Sequence, residues 1–234
     1  MNKTAWIVFS LVIVAILGGA VYLSSQNKLD ISNITKEQMA NIIGPEERNG
    51  QIGDRTVGNE KSKIVLIEYG DYQCPGCRTA APEARRVAEK YKDHIVLVFR
   101  NFPISSSHPN ARAAAAAAEA AGQQGKYWQM HDLLYENQDS WAQADLKNRT
   151  KVFTDYARDL GLDETKFSET MASPEVSQKI NFDYAIGRAM GVSATPTFYL
   201  NGEALEAKAG NYIEEAVQKE LTKAGIEIPA DETE

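Results

Sequence analysis

Segments that favour β-strand are few in this chain, and a helix separates the first two of them. Residues 64–69 and 95–99 are short, uninterrupted apolar runs rich in β-branched residues, which is typical of buried strands. Residues 78–91, between them, are rich in Ala, Glu and Arg and favour a helix. Two buried strands joined by a helix of this length predict a βαβ unit with parallel strands.

The rest of the chain completes one pattern. The ninety or so residues after position 100 look helical, and strand-forming sequence returns only at 197–200. Asn201-Gly202 then predicts a hairpin turn, 203–207 the returning strand, and 212–223 a closing amphipathic helix. A short strand near Thr56 is expected ahead of the βαβ unit. The order βαβ, helical block, ββα predicts an α/β thioredoxin fold with a mixed sheet and a helical insertion at about 104–190.

The only two cysteines, Cys74 and Cys77, lie three residues apart where the first strand gives way to the helix. Unpaired backbone N–H groups and the positive end of the helix dipole favour a thiolate at that position. The second cysteine, one turn later on the same face, is within reach to close a small disulfide ring. This geometry suits thiol–disulfide exchange.

Two other interpretations of the cysteine pair are less favoured. A zinc site normally needs four Cys or His ligands, and His94, His108 and His131 show no ligand spacing, so no metal is expected. An inert structural disulfide would close so short a loop that it constrains the unfolded chain little. A redox-active disulfide, with no further cofactor, is therefore the favoured interpretation.

The N-terminus predicts export of everything that follows it. Residues 5–23 are nineteen residues without a charge, nearly enough helix to cross a bilayer, and Lys3 favours a cytoplasmic N-terminus. A cleaved signal peptide is the alternative, but Tyr22 and Leu23 extend the apolar run past the small residues of a cleavage site. We therefore expect residues 1–23 to be a single-pass anchor, with the catalytic domain on the periplasmic or extracellular face, where disulfides persist.

Beyond the anchor, the sequence predicts a stalk and one domain. Residues 24–50 are interpreted as a linker with one short helix, because Thr35 and Gln38 form a capping box pattern. Residues 51–234 have the length of one ordinary domain. Residues 24–234 hold 24 Lys and Arg against 32 Asp and Glu. This net charge of −8 argues against nucleic acid as a partner. No dimerisation domain is visible, and a monomer is expected.

Several stretches together resemble the DsbA-like thiol–disulfide oxidoreductases of the thioredoxin-like group. They are EYGDYQCPGC at 68–77, FRNFP at 99–103, residues 108–130, and GVSATPTF at 191–198. The resemblance extends from about residue 54 to 225. It implies that Cys74 is the exposed nucleophile that forms the mixed disulfide, and that Cys77 is the buried resolving thiol.

The resemblance also implies supporting roles. Pro75 fits the first turn of a helix, where its missing N–H costs nothing. Thr195-Pro196 resembles the cis-proline loop that faces the cysteines and pairs with an extended client segment. Glu68 occupies the position of a buried acid that relays a proton to the resolving thiol. An outward-facing strand residue is the alternative for Glu68.

Other conspicuous residues are given structural roles. A loop or capping role is favoured for His108, packing of the insertion for Tyr127, Trp128 and Met130, and no chemistry for Arg100 and Asn101. Tyr72 is interpreted either as flanking the cysteines at the surface or as simple packing.

Gly76 stands where the best-known family member has histidine, which removes one source of thiolate stabilisation and leaves the direction of catalysis open. The first hypothesis is an anchored oxidant of exported client proteins, reoxidised by a quinone-linked membrane partner. The second is a reductase or isomerase on the same fold. The third is a non-catalytic module that holds peptides in the cis-proline groove.

Overall fold

The structure is a computed structural model, and it describes residues 29, 31–48, 50, 52–208 and 210–228. The predicted anchor at 1–23 lies outside these residues. Across the described residues, every helix is too short or too polar to cross a bilayer.

A five-stranded mixed sheet forms the centre of the domain. Its strands are β1 (Arg55–Gly58), β2 (Ile64–Gly70), β3 (Ile95–Asn101), β4 (Thr197–Leu200) and β5 (Glu203–Ala204), in the order β1-β3-β2-β4-β5. β2 and β3 pair in parallel, whereas the other three pairings are antiparallel. The predicted parallel βαβ unit, the returning hairpin and the mixed sheet are confirmed.

Nine helices are present among the described residues. They are α1 (Lys36–Met39), α2 (Pro75–Lys90), α3 (Ala111–Gly122), α4 (Tyr127–Glu136), α5 (Gln138–Trp141), α6 (Leu146–Asp159), α7 (Glu164–Met171), α8 (Pro174–Ala189) and α9 (Tyr212–Lys223). α2 is the βαβ crossover, and α3 to α8 form the helical insertion. The insertion predicted at about 104–190 is confirmed.

The last strand is shorter than predicted. The sequence predicts a strand at 203–207, but β5 ends at Ala204. The backbone N–H of Leu205 still bonds to the carbonyl of Phe198 at 2.8 Å, after which the chain leaves the sheet. Both β5 residues are exposed, so no apolar side chain holds this edge strand to the core.

Two apolar cores surround the sheet. One packs α2 and α9 on the sheet face that carries Leu66, Leu97 and Phe198. The other lies in the insertion, where the small side chains of α3 let large rings such as Trp141 and Phe153 approach closely. The insertion is therefore a packed part of the domain beside the cysteine helix.

The described part of the segment called a stalk is docked on the domain. The capping box of Thr35 and Gln38 is present, but Ile43 is buried rather than solvent-facing. The guanidinium of Arg100 donates to the carbonyl of Met39 and to Asp54 at 2.8 Å. Because backbone and side chains of this segment bond to the sheet, residues 31–48 are not a free spacer, and that part of the 24–50 interpretation is corrected.

Candidate active site

Cys74 is the N-cap residue of α2, and Pro75 is the first residue of the helix. The Cys74 backbone is extended (φ −75°, ψ 123°), and no side chain caps the helix N-terminus. The unpaired N–H groups of the first turn therefore face the Cys74 sulfur. Both cysteines are free thiols, with Cys74 9% exposed and Cys77 fully buried.

The two thiols have opposite acidities. Donation from the Cys77 thiol, aided by the backbone N–H groups of Cys77 and Gly76, lowers the pKa of Cys74 to about 5. Burial, the hydrogen bond to Cys74 and the nearby Glu68 carboxyl raise the pKa of Cys77 far above its ordinary value. The pair therefore holds one thiolate and one thiol at neutral pH. That is the division of roles that exchange requires.

The cis-proline loop faces this pair. The Thr195–Pro196 peptide bond is cis, the isomer that the resemblance implies. The Cys74 thiol donates to the Thr195 carbonyl oxygen at 3.4 Å. A Cβ at Gly76 would lie 3.3 Å from Pro196 Cδ, so glycine lets the helix start and the loop approach closely. The structure thus brings Cys74, Gly76, Thr195 and Pro196 together.

Glu68 lies in the interior beside the pair. Its side chain is 1% exposed, so the alternative of an outward-facing strand residue is wrong. β2 is covered on both faces, and Glu68 is on the face that packs against α2. Burial raises the pKa of Glu68 to about 8, which leaves the carboxyl largely protonated at pH 7. A neutral carboxyl near Cys77 can deliver a proton to a leaving thiolate.

A carboxylate missed by the sequence analysis orders the turn before Cys74. Asp71 Oδ1 accepts from the Gln73 backbone N–H at 2.8 Å, and Oδ2 accepts from Ile104 N–H and lies 2.8 Å from His108 Nδ1. His108 therefore braces a loop, as favoured. The spacing of Asp71 and Gln73 is that of an Asx turn, a local signal that could have been recognised.

Two glutamines connect the same turn to the insertion. Gln73 donates to the Ala142 carbonyl at 2.7 Å and accepts from the Asn110 N–H at 2.6 Å. Gln138 donates to the carbonyls of Tyr72 and Cys74 at 2.8 and 3.1 Å. The sequence carries no local signal for these contacts, because each joins residues far apart along the chain.

The aromatic residues near the site are interior. Tyr72 is buried against Tyr135 and Phe99, so its surface interpretation is wrong and packing is its role. Tyr127 and Met130 are buried in the insertion core, and Trp128 packs against it. Within the described part of the chain, no cluster of His, Cys, Asp and Glu is arranged to hold a metal ion.

Comparison with known proteins agrees with this geometry. Residues 51–219 match the profile of the family described as Thioredoxin. A thioredoxin-like oxidoreductase from Silicibacter pomeroyi is similar at 27% identity and a TM-score of 0.60, over 73% of this chain and 92% of that protein. Oxidised BdbD from Bacillus subtilis and alpha-DsbA1 from Wolbachia pipientis share the fold. Their TM-scores are 0.62 and 0.61 at 22% and 23% identity, over 72% and 73% of this chain and 93% and 92% of theirs.

Curated relatives include longer proteins of a different description. The Na(+)/H(+) antiporter NhaA 1 of Salinispora arenicola is 37% identical over 171 residues, which are 73% of this chain and 24% of the antiporter. The chain thus spans about a quarter of such relatives. The family profile covers most of the chain and the cysteine pair lies inside it. The chain therefore belongs to the thioredoxin family, and it shares the fold of BdbD and alpha-DsbA1.

Proposed function

We propose that this protein is an extracytoplasmic oxidant that donates the Cys74–Cys77 disulfide to exported client proteins. The observation that carries the direction is the stabilised Cys74 thiolate, whose pKa is lowered to about 5. A stable thiolate favours the reduced form, so the oxidised form readily gives up its disulfide. The stabilising donors are the Cys77 thiol and backbone N–H groups, and they do not require a histidine at position 76.

Each half of the reaction follows from the two acidities. A client thiolate attacks Cys74 Sγ, the Cys74–Cys77 bond breaks, and its electron pair goes to Cys77, which takes a proton from Glu68. A second client thiolate then attacks the client sulfur of the mixed disulfide and releases Cys74 as a thiolate. The client gains a disulfide, and the protein is left with one thiolate and one thiol.

The proposal includes the location of the protein and its partners. Residues 5–23 would anchor the protein, with the domain on the periplasmic or extracellular face. The reduced protein would pass the two electrons that it took from the client to a quinone-linked membrane partner, because the chain carries no recognisable electron-transfer cofactor motif. The client segment would lie along Thr195-Pro196, whose carbonyl already contacts Cys74. We expect a monomer without nucleic-acid partners.

The reduction potential of the pair tests the direction. Thioredoxin lies at about −270 mV and DsbA at about −120 mV, and we expect a value well above that of thioredoxin. A potential near −270 mV would contradict the oxidant and favour the second candidate, a reductase or isomerase. Gly76 is the observation that keeps this candidate open, because a histidine side chain is absent there.

Trapping of the mixed disulfide tests the exchange itself. A Cys77→Ser variant, oxidised in the presence of exported proteins, should accumulate complexes that a reducing agent dissolves. The matched Cys74→Ser variant should accumulate none. A peptide-binding module without catalysis would instead keep its function in Cys74→Ser.

A further inference from the structure

Proton transfer to Cys77 poses a structural problem. The pKa of Cys77 is raised by burial, so its sulfur must gain a proton when the disulfide opens and lose it when the disulfide forms. Cys77 is fully buried, and Glu68, its proton donor, is nearly so. Neither group can exchange protons directly with bulk water, and Glu68 needs a route by which its own proton is replaced.

The hydroxyl of Tyr135 lies in the same interior region. A Cβ on Gly70 would be 3.1 Å from this hydroxyl. Glu68 precedes Gly70 by two residues and therefore occupies the same face of β2. The next residue, Asp71, donates its backbone N–H to Cys77 Sγ at 3.4 Å. Burial raises the pKa of Tyr135 most, followed by the charges of Cys77 and Glu68, which agrees with this proximity.

Two polar atoms in this region have no protein partner. They are the Tyr135 hydroxyl and Glu68 Oε1, and both are fully shielded from solvent. Buried polar groups in folded proteins nearly always form hydrogen bonds, and ordered water fills that role where the protein does not. Ordered water is therefore the expected partner of each atom.

A cleft borders Tyr135. It has a volume of about 490 Å³ and separates α2, through Ala81 and Pro82, from α4, through His131 and Tyr135. His131 is buried, its Nδ1 lies 2.9 Å from Asp132 Oδ1, and its Nε2 has no partner. Tyr135 thus borders both the interior around Cys77 and the cleft.

We propose that Tyr135 and a buried water relay the proton of Glu68 to and from the cleft between α2 and α4. When the disulfide opens, neutral Glu68 gives its proton to Cys77. The Tyr135 hydroxyl then passes a proton through the buried water to the Glu68 carboxylate, and it takes a replacement proton from solvent in the cleft. When the disulfide re-forms, the same groups carry the proton outward. The relay rests on thiol–disulfide exchange and operates in either direction of electron flow.

Other titratable and charged groups surround the relay. Those that face Tyr135, Glu68 or the cleft are Asp71, Tyr72 and Cys77, His131, Asp132 and Glu136 on α4, Arg78, Arg85, Arg86 and Glu89 on α2, and Tyr212 on α9. A test must therefore monitor Glu68 itself rather than overall activity alone.

Tyr135→Phe is the informative variant, because it removes the hydroxyl and keeps the ring. Tyr127→Phe is the matched control. Tyr127 lies on the same helix and is also buried, but its hydroxyl pairs with that of Tyr72 at 3.1 Å. The measurements are the Glu68 carboxyl titration by carbon-13 NMR and the rate of exchange with glutathione disulfide as a function of pH.

Tyr135→Phe should raise the pKa of Glu68 above its value of about 8, because the water that donates to the carboxylate loses the hydroxyl that holds it. It should also slow exchange by about tenfold, below the range typical of a direct acid–base group. Tyr127→Phe should change neither. An unchanged Glu68 titration in Tyr135→Phe would overturn the relay, even if exchange were slower, because packing alone would then explain the loss.

A crystal structure of the unmodified protein gives a second test, which does not depend on variant folding. Ordered water between Tyr135 and Glu68 is expected, and a dry contact there overturns the proposal. Both tests are separate from the proposed oxidant role: a low reduction potential would contradict that role and leave the Glu68 titration and the water unaffected.

Discussion

The Cys74 thiol donates to the carbonyl oxygen of Thr195 at 3.4 Å, across 121 residues of sequence. The Thr195 side chain also lowers the pKa of Cys74, and its hydroxyl has no other partner. The hydroxyl is therefore free to donate to the thiolate. Thr195 thus contacts the nucleophile in both protonation states.

Replacing Thr195 tests this hydroxyl. Thr195→Val keeps the shape of the side chain and removes the donor, so the pKa of Cys74 should rise by about one unit. The thiolate absorbance of the reduced protein, titrated with acid, measures it. Thr195→Ser keeps a hydroxyl, so the pKa of Cys74 should stay near its original value. Equal Cys74 titrations in the two variants would exclude a contact between the Thr195 hydroxyl and the thiolate.

The stability of the reduced protein should depend on pH through Cys74. Its pKa in the folded protein, about 5, is lower than the ordinary value of about 8.5. The stabilisation is therefore complete above pH 8.5 and is lost as the pH falls through 5. The oxidised protein lacks this group, so the melting temperature of the reduced protein, relative to that of the oxidised protein, should fall from pH 8 to pH 4. A difference in melting temperature that stays constant over this pH range would contradict the lowered pKa.

Glu68→Gln should separate stability from activity. The folded pKa of Glu68, about 8, exceeds its ordinary value of about 4.5, so its contribution to stability is lost as the pH rises between these values. The glutamine variant should gain about 3 kcal/mol over the original at pH 7 and little at pH 4. Denaturant unfolding at both pH values measures this difference. Exchange should slow by about a hundredfold if Glu68 supplies the proton.

Gly76→His should make the pair more oxidising. An imidazolium beside Cys74 lowers the pKa of the thiol, and each unit corresponds to about 30 mV in the potential of the pair. The new Cβ would be 3.3 Å from Pro196 Cδ, so Gly76→Asn serves as the control for crowding. The histidine variant should show a higher potential than the asparagine variant at pH 6. Equal potentials in the two variants would mean that an imidazolium adds nothing to the stabilisation that the backbone N–H donors already give the Cys74 thiolate.

Arg100→Leu should loosen the docked N-terminal segment. Arg100 is fully buried and bonds to Asp54, so removal leaves that carboxylate with fewer partners and should cost about 3 kcal/mol of unfolding free energy. Hydrogen exchange at Met39 and Asn41 should accelerate, because Arg100 binds both carbonyls. Arg78→Ala, which breaks the exposed pair with Asp139, should cost less than about 1 kcal/mol. Similar losses in both variants would contradict the anchoring role.

The sequence was sufficient to predict secondary structure where the signals lie in neighbouring residues. The capping box of Thr35 and Gln38 marks the start of α1, and the closing helix has the predicted bounds. The burial of Glu68 was not predictable by periodicity, because β2 is covered on both faces and shows no alternation. The bonds that Arg48 makes to Asp183 and Arg100 makes to Asp54 join distant positions, so the docked segment could be identified only from the structure.

The glutamines around the turn limit how far the active site can be transplanted. Gln73 uses its amide as both donor and acceptor toward the insertion, and neither glutamate nor lysine offers both. Gln138 fixes two carbonyls of the turn from the opposite side. A graft of Cys-Pro-Gly-Cys onto another scaffold would therefore inherit the sulfur atoms and lose their orientation, unless the start of α3 and all of α5 were moved with it.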